Sequence, residues 1–249
     1  MRKTVLITGS SRGLGKRLAL VFASNNYNVI LHARTEEHLK EIKKEISKKR
    51  VNYFIAAGDL RKDSTINRLA KAAKEKNASV LINNAAIVRS GFSLVDLSFN
   101  RIEETIETNL VAPIKLCKKI YPIFKKRAGT IININSLVGM GIKKFRSLHS
   151  ASKWGLRGFT NSLRIEAKED NIKILNIYLS KVRTEPTDNF GMDPMKVSKR
   201  IYEFYKRGGK YQGLIIDGRP KKYRADISEK ILIVDGRNYE LEQGKNNEK

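Results

Sequence analysis

Cys117 is the only cysteine in this chain, so no disulfide can form within it. That suits a reducing compartment, and a cytoplasmic protein is expected. Long apolar runs are missing too: no stretch approaches the roughly 20 residues a spanning helix needs, so no membrane partner is expected. At the N-terminus Arg2 and Lys3 precede Val5-Leu6-Ile7, but Thr8 and Gly9 end that run far short of a signal-peptide core. Acidic residues are scarce, 25 Asp+Glu against 50 Lys+Arg, for a formal net charge of +25. Such a field attracts polyanions: nucleic acid, anionic lipid, an acidic carrier protein or a phosphorylated substrate. The basic clusters, among them Lys43-Lys44, Lys48-Lys49-Arg50 and Lys125-Lys126-Arg127, are scattered, and no aromatics interleave with them as an RNA-stacking surface wants. Compositional bias is the favoured origin of the charge, with an anionic partner left open. No metal site is expected.

What is present is ordinary for a globular protein: 249 residues, 41% hydrophobic, enough for one sizeable core. Short apolar runs (Val5-Leu6-Ile7, Val29-Ile30-Leu31, Tyr53-Phe54-Ile55, Val80-Leu81-Ile82, 130–134, 172–178 and Leu214-Ile215-Ile216) alternate with segments of helical spacing. Those helices are expected over 14–23, 36–49, 66–76, 152–168 and 195–205, with one long helix over 101–126. The alternation implies a parallel sheet covered on both faces. Nothing marks an internal boundary, so 1–249 reads as one domain. Leu214-Ile215-Ile216-Asp217-Gly218-Arg219 is echoed by Leu232-Ile233-Val234-Asp235-Gly236-Arg237. The first copy is favoured as the core strand, following a helix and Gly208-Gly209. Residues 220–249 read as an extension that supplies an extra strand and ends in a frayed stretch from Gly244 to Lys249.

Between the first strand and the first helix lies Thr8-Gly9-Ser10-Ser11-Arg12-Gly13-Leu14-Gly15. Glycines there let the chain turn tightly and bring backbone N–H groups of Gly9, Ser11, Arg12, Gly13, Leu14 and Gly15 near a diphosphate, where the helix N-terminus adds its partial positive charge. A site that prefers NAD places an acid after the second strand; here that strand ends His32-Ala33-Arg34-Thr35, with no acid before Glu36. Arg34 and Arg12 suit a 2′-phosphate instead, so NADP(H) is expected over NAD(H).

Thr8-Gly9-x-x-x-Gly13-x-Gly15 resembles the short-chain dehydrogenase/reductase family, and further segments of about 3–219 resemble it in order. Asp59-Leu60 is similar to the pair that holds adenine after the third strand. Asn83-Asn84-Ala85-Ala86 resembles the family's Asn-Asn-Ala-Gly, with Ala86 replacing glycine; Asn83 and Ala85 are the cofactor contacts it implies. Asn109 matches the active-site asparagine, Ser136 the catalytic serine, and Ser150-Ala151-Ser152-Lys153 the end of the Tyr-x-x-x-Lys motif. The resemblance implies a three-layer, doubly wound Rossmann fold with a mostly parallel seven-stranded sheet. It also implies a carbonyl or alcohol substrate, and a homodimer or homotetramer joined along faces near Cys117 and Phe159. Two departures stand out. His149 lies where the family has tyrosine, four residues before Lys153, and Leu179-Ser180 replaces a Pro-Gly pair. Val182 and Thr184 still match the contacts to the nicotinamide carboxamide. The loop 185–192 that follows is expected to meet substrate through Phe190 and Met192.

By the resemblance, proton transfer falls to His149, with Lys153 lowering its partner's pKa and holding the ribose, Ser136 orienting the carbonyl and Asn109 holding a water. Histidine is a common general acid or base. Its ring nitrogen, however, ends roughly 2 Å closer to the backbone than a tyrosine hydroxyl. A neighbouring Lys153 cation also disfavours imidazolium. With an unperturbed value of about 6.5, an acid role predicts faster reduction as pH falls toward about 6. Three readings follow: an NADP(H)-dependent oxidoreductase, a catalytically impaired NADP(H)-binding protein with a regulatory or structural role, and a polyanion-binding scaffold.

Overall fold

The computed structural model describes residues 2–88, 91–141, 143–184, 188–207, 211–219, 231–235 and 241–242. Its strands are β1 (Thr4–Ile7), β2 (Asn28–Leu31), β3 (Tyr53–Ile55), β4 (Ala78–Asn83), β5 (Thr130–Ser136), β6 (Lys173–Leu179), β7 (Gly213–Asp217), β8 (Ile231–Asp235) and β9 (Leu241–Glu242). They form one sheet in the order β3-β2-β1-β4-β5-β6-β7-β8-β9. The first seven pair in parallel, giving the expected Rossmann core. β8 then adds in parallel to β7, Leu214 opposite Leu232, and β9 closes the edge antiparallel. The two echoed segments are thus neighbouring strands; Gly208-Gly209 and the tail 243–249 lie outside the described residues.

The helices are α1 (Gly13–Ser24), α2 (Lys40–Ser47), α3 (Asp63–Glu75), α4 (Phe99–Ile106), α5 (Ala112–Lys125), α6 (Ser147–Glu166) and α7 (Pro194–Arg207). Along the strands, side chains alternate between two apolar layers. Val5, Ile7, Val29, Leu31 and Ile132 join a layer with Leu18, Ile42 and Ile201 from α1, α2 and α7. Leu6, Ile30 and Ile131 face the other way, onto Ile66, Leu116 and Leu163 from α3, α5 and α6. This period-2 split of unbroken apolar runs is what a sheet buried on both faces requires.

Two helices differ from the reading of the sequence. The long helix expected over 101–126 is helical throughout but contains a π-turn, Glu107–Val111, between α4 and α5. Apolar residues keep helical spacing through the turn (Ile102, Ile106, Leu110, Ile114), so periodicity hides it. Helix α6 begins five residues before the expected Ser152; apolar spacing misses this start because, Leu148 apart, the buried positions there are His149, Ser152 and Lys153.

Cys117, near which an intersubunit face is expected, is itself buried in the layer that includes Leu116 and Ile120. Its sulfur receives an N–H from Asn83, 3.4 Å away, and burial pushes the thiol up to about 12. Asn83 also donates to Asn133 Oδ1 (2.8 Å), Asn133 to Thr160 Oγ1 (2.8 Å), and Thr160 to the Leu156 carbonyl (2.6 Å). This buried polar ladder ties β4 and β5 to α6 and fixes the height of α6 against the sheet. Replacing its middle member, Asn133→Leu, leaves Asn83 Nδ2 only the weak Cys117 acceptor and Thr160 Oγ1 without its donor, and should cost about 2–3 kcal/mol by urea unfolding. An unchanged midpoint would show the ladder to be dispensable.

Candidate active site

The strand order reverses between β1 and β4, and a crevice opens at the carboxyl ends of strands at such a point. Two loops line it. The first leaves β1 through Thr8 and Gly9. Gly9 has φ +65°, and an added β-carbon would come within 2.9 Å of the Ala85 Cα. Gly13 also lies at positive φ, +50°. At Gly15 an added β-carbon would stand 2.0 Å from the Gly9 carbonyl oxygen, so only glycine lets α1 lie this close to the turn. The second loop leaves β4 and holds the first. Asn84 donates through Nδ2 to the carbonyls of Thr8 (2.9 Å) and Gly9 (3.0 Å), while the Asn84 and Ala85 amides donate to Thr8 Oγ1. Asn83 turns inward to the ladder described above. Leu14 is buried and Ser11 half-buried.

Helix α1 starts with no side-chain cap, and its first turn holds no acid. Its leading N–H groups are left to an anion, the arrangement that binds phosphate in other helices. Arg12 and Arg34 are both exposed at this end. Asp59 is engaged by Arg61 through Nη2 (2.6 Å) and Nε (2.9 Å), and the same guanidinium reaches Glu104 (3.2 Å). That guanidinium holds the Asp59 carboxyl below the usual range, and Leu60 beside it is buried.

The β4 loop also reaches the other half of the crevice. Three residues past Asn84, the amide of Ile87 donates to Asn109 Oδ1 (2.7 Å) and its carbonyl accepts from Asn109 Nδ2 (2.8 Å). The π-turn aims Asn109 into the interior, where it also donates to Ser152 Oγ (3.3 Å). Ser152 donates in turn to the His149 carbonyl (2.8 Å). The Asn109 side chain thus bonds Ile87 and Ser152. Lys153, one residue on, is buried and donates to the Ile134 carbonyl (3.0 Å); burial lowers its ammonium to about 8. Asn135 links β5 to α6, donating to the Lys153 carbonyl (3.3 Å) and accepting from the Ser136 amide (2.8 Å). Ser136 Oγ lies 3.5 Å from the Leu179 carbonyl and is half-buried. His149 is buried, its Nδ1 has no hydrogen-bond partner, and burial, then the Lys153 and Arg146 charges, bring it down to about 4.

A strap from β6 crosses the front. Val182 pairs with Met192, and Thr184 donates to Asp188 through its amide (2.8 Å) and hydroxyl (3.3 Å). The strap bears on the glycine turn: a β-carbon at Gly13 would meet the Thr184 Cα at 3.2 Å. Of the two side chains expected to meet substrate, Phe190 is 65% exposed, but Met192 is 6% exposed and packs in the core, which corrects that expectation. Residues 185–187 of the same loop lie outside the described residues.

Sequence reading passed over His32, Asn84 and Ser152, which join the loops together. The signal for His32 was a polar residue directly continuing Val29-Ile30-Leu31.

Residues 3–194 match the family model described as short chain dehydrogenase. The chain belongs to the short-chain dehydrogenase/reductase family. Its relatives are oxidoreductases. A 3-oxoacyl-(acyl-carrier-protein) reductase of Buchnera aphidicola subsp. Schizaphis graminum is 30% identical over 77% of this chain and 78% of its own length. A fatty acyl-CoA reductase of Acinetobacter baylyi is 33% identical over 81% of this chain and 67% of its own length. Among solved structures, a metagenomic short-chain oxidoreductase in complex with NADP is 25% identical, with TM-score 0.78, covering 86% of this chain and 96% of that one. No helix of the described residues is long and apolar enough to cross a membrane, and those residues contain no cluster of His, Cys, Asp and Glu suited to a metal ion.

His149 and His32 are both held near 4, well below a free imidazole. Above about 6.5 the ring is neutral folded or unfolded; below it the unfolded chain takes up protons that the folded chain refuses. Stability should therefore be complete above about pH 6.5 and fall as pH drops toward about 4. Melting temperatures followed over that window should decline, and His149→Gln should remove roughly half of the decline. Equal slopes for the two proteins would contradict the assignment.

Proposed function

We propose that this chain is an NADP(H)-dependent oxidoreductase that moves a hydride between nicotinamide and a small carbonyl or alcohol substrate, with His149 where the family has tyrosine. The observation that carries the reading is the loop 84–87, which bonds the uncapped glycine turn at one end and the Asn109–Ser152–His149 chain at the other. The diphosphate would lie on the amides of Gly9 to Gly15, with Asp59, Leu60 and Ala85 toward adenine, and Val182, Thr184 and Lys153 toward the nicotinamide nucleoside. Exposed Arg12 and Arg34, with no acid ending β2, favour the 2′-phosphate of NADP(H) over NAD(H). The NADP bound to the metagenomic relative supports the same choice.

When bound, the nicotinamide supplies or accepts the hydride. Ser136 Oγ, at the end of β5, orients the substrate oxygen. His149 is neutral at ordinary pH, so it accepts the proton of an alcohol readily but is a poor donor to a carbonyl. Lys153, cationic below about pH 8, keeps the ring in that state. Reduction should therefore gain as pH falls toward about 4, not level off near 6 as an unperturbed imidazole would dictate. The unpartnered Nδ1 of His149 also supports a second reading, a cofactor-binding protein with little turnover. Self-association is proposed along α4 and α6, where Phe99 (85% exposed), Ile165 (77%) and Trp154 (44%) face outward.

Fluorescence titration should show NADPH binding more tightly than NADH. A screen of carbonyls and alcohols at pH about 7 should then favour oxidation in the parent, with His149→Tyr raising reduction by about tenfold or more. Binding with no turnover in the parent, restored by tyrosine, selects the second reading; no uptake of either nucleotide defeats both.

A further inference from the structure

His32 is a buried polar group left unused by the reading above, and both its ring nitrogens are bonded. It continues β2 and is 2% exposed. Its Nδ1 accepts the Gly9 amide (3.1 Å), and its Nε2 lies 3.0 Å from the Gly58 carbonyl. A backbone N–H can only donate and a carbonyl can only accept. Nδ1 must therefore carry the lone pair and Nε2 the proton, which fixes one neutral tautomer. The backbone of His32 is pinned as well: its carbonyl accepts from the Ser10 amide (2.8 Å) and its amide donates to Ser10 Oγ (2.9 Å).

The two groups on either side of the ring belong to different loops. Gly9 opens the glycine turn. Gly58, at φ +151°, directly precedes Asp59 and Leu60, and its amide returns to the Ala33 carbonyl (2.9 Å). An imidazole is rigid and its two nitrogens are a fixed distance apart, so the ring sets the gap between these two backbones. Strand pairing constrains it only through β2, which separates β1 from β3; the ring is the side-chain link that bridges the two loops.

We propose that His32 is a positioning residue for the cofactor, a spacer that holds the glycine turn and the Gly58–Leu60 loop at the separation an adenosine phosphate requires. The inference rests on the cofactor reading above. It predicts that His32 acts on the adenosine half of the ligand and leaves the chemical step alone. It also predicts sensitivity to acid, because a second proton on Nδ1 would turn the acceptor of the Gly9 amide into a donor facing a donor. Burial opposes that proton; the Gly58 carbonyl and the Asp59 carboxylate, itself paired with Arg61, favour it.

The test uses the full chain. NADPH and adenosine 2′,5′-bisphosphate are titrated into the parent, His32→Leu, which loses both bonds, and His32→Asn, whose side-chain oxygen can still accept from Gly9. Loss of two hydrogen bonds should weaken both ligands by about tenfold or more in His32→Leu, and the change to asparagine should weaken them by a smaller factor. The KM for NADPH should rise in step while kcat at saturation stays within about twofold. As pH falls from about 5 toward 4 the parent should lose affinity more steeply than His32→Asn. If His32→Leu does not fold, His32→Asn decides. Parent-like affinity for both ligands in a folded variant, or a loss confined to kcat, overturns the inference. Failure of the parent itself to take up either nucleotide overturns the cofactor reading, and this inference with it.

Discussion

Helix α1 lies against the turn that precedes it so closely that no side chain fits at Gly15, and this contact sets the geometry of the crevice. The Gly9 carbonyl that would collide with a β-carbon there is one of the two that Asn84 grips. Asn84 in turn fixes the start of the loop that runs on to Ile87 and Asn109. A shift of α1 would therefore be felt first at the glycine turn, then at the end of β4, and then at the π-turn that aims Asn109. Apolar layers above and below the sheet stabilise the fold as a whole, but they are non-directional. The directional bonds around Thr8, Asn84 and Asn109 give the crevice its shape.

Two buried histidines at opposite ends of this crevice are neutral for the same reason, burial, yet differ in their bonds. His32 has both nitrogens engaged and joins two backbone loops. His149 has a buried Nδ1 with nothing to bond. Burying a polar atom unpaired costs free energy, and a fold tolerates that most readily where the group has another task. On the proposed function, His32 maintains the site, whereas His149 is the group left available to react. Lys153 beside it is cationic and buried with one carbonyl partner. It disfavours a second positive charge nearby, and on the proposed function this favours proton acceptance by His149.

Much of the architecture was legible because it rests on short apolar runs and helical spacing. Both are local signals. The glycine turn was legible for the same reason, lying between a clear strand and a clear helix. What escaped was polar and non-local. The π-turn at Glu107–Val111 breaks no apolar period. The early start of α6 is concealed because His149, Ser152 and Lys153 outnumber the apolar Leu148 on its buried face. The burial of Cys117 was not legible because helical spacing does not say which stripe meets the sheet. Met192 was misread likewise: a loop position suggests exposure, but its pairing with Val182 turns the side chain inward. The spacer role of His32 joins residues 9, 32 and 58, a pattern that no local window contains.

The central claim is that the glycine turn grips the diphosphate of a nicotinamide dinucleotide. Amide hydrogen exchange with and without NADPH tests it most directly, since it reports the backbone groups themselves. Slowed exchange concentrated at residues 9–15, with lesser effects at 32–34 and 58–60, is the result this account requires. Unaltered exchange at 9–15 while NADPH demonstrably binds, or protection confined to the outer face of α7, would contradict it.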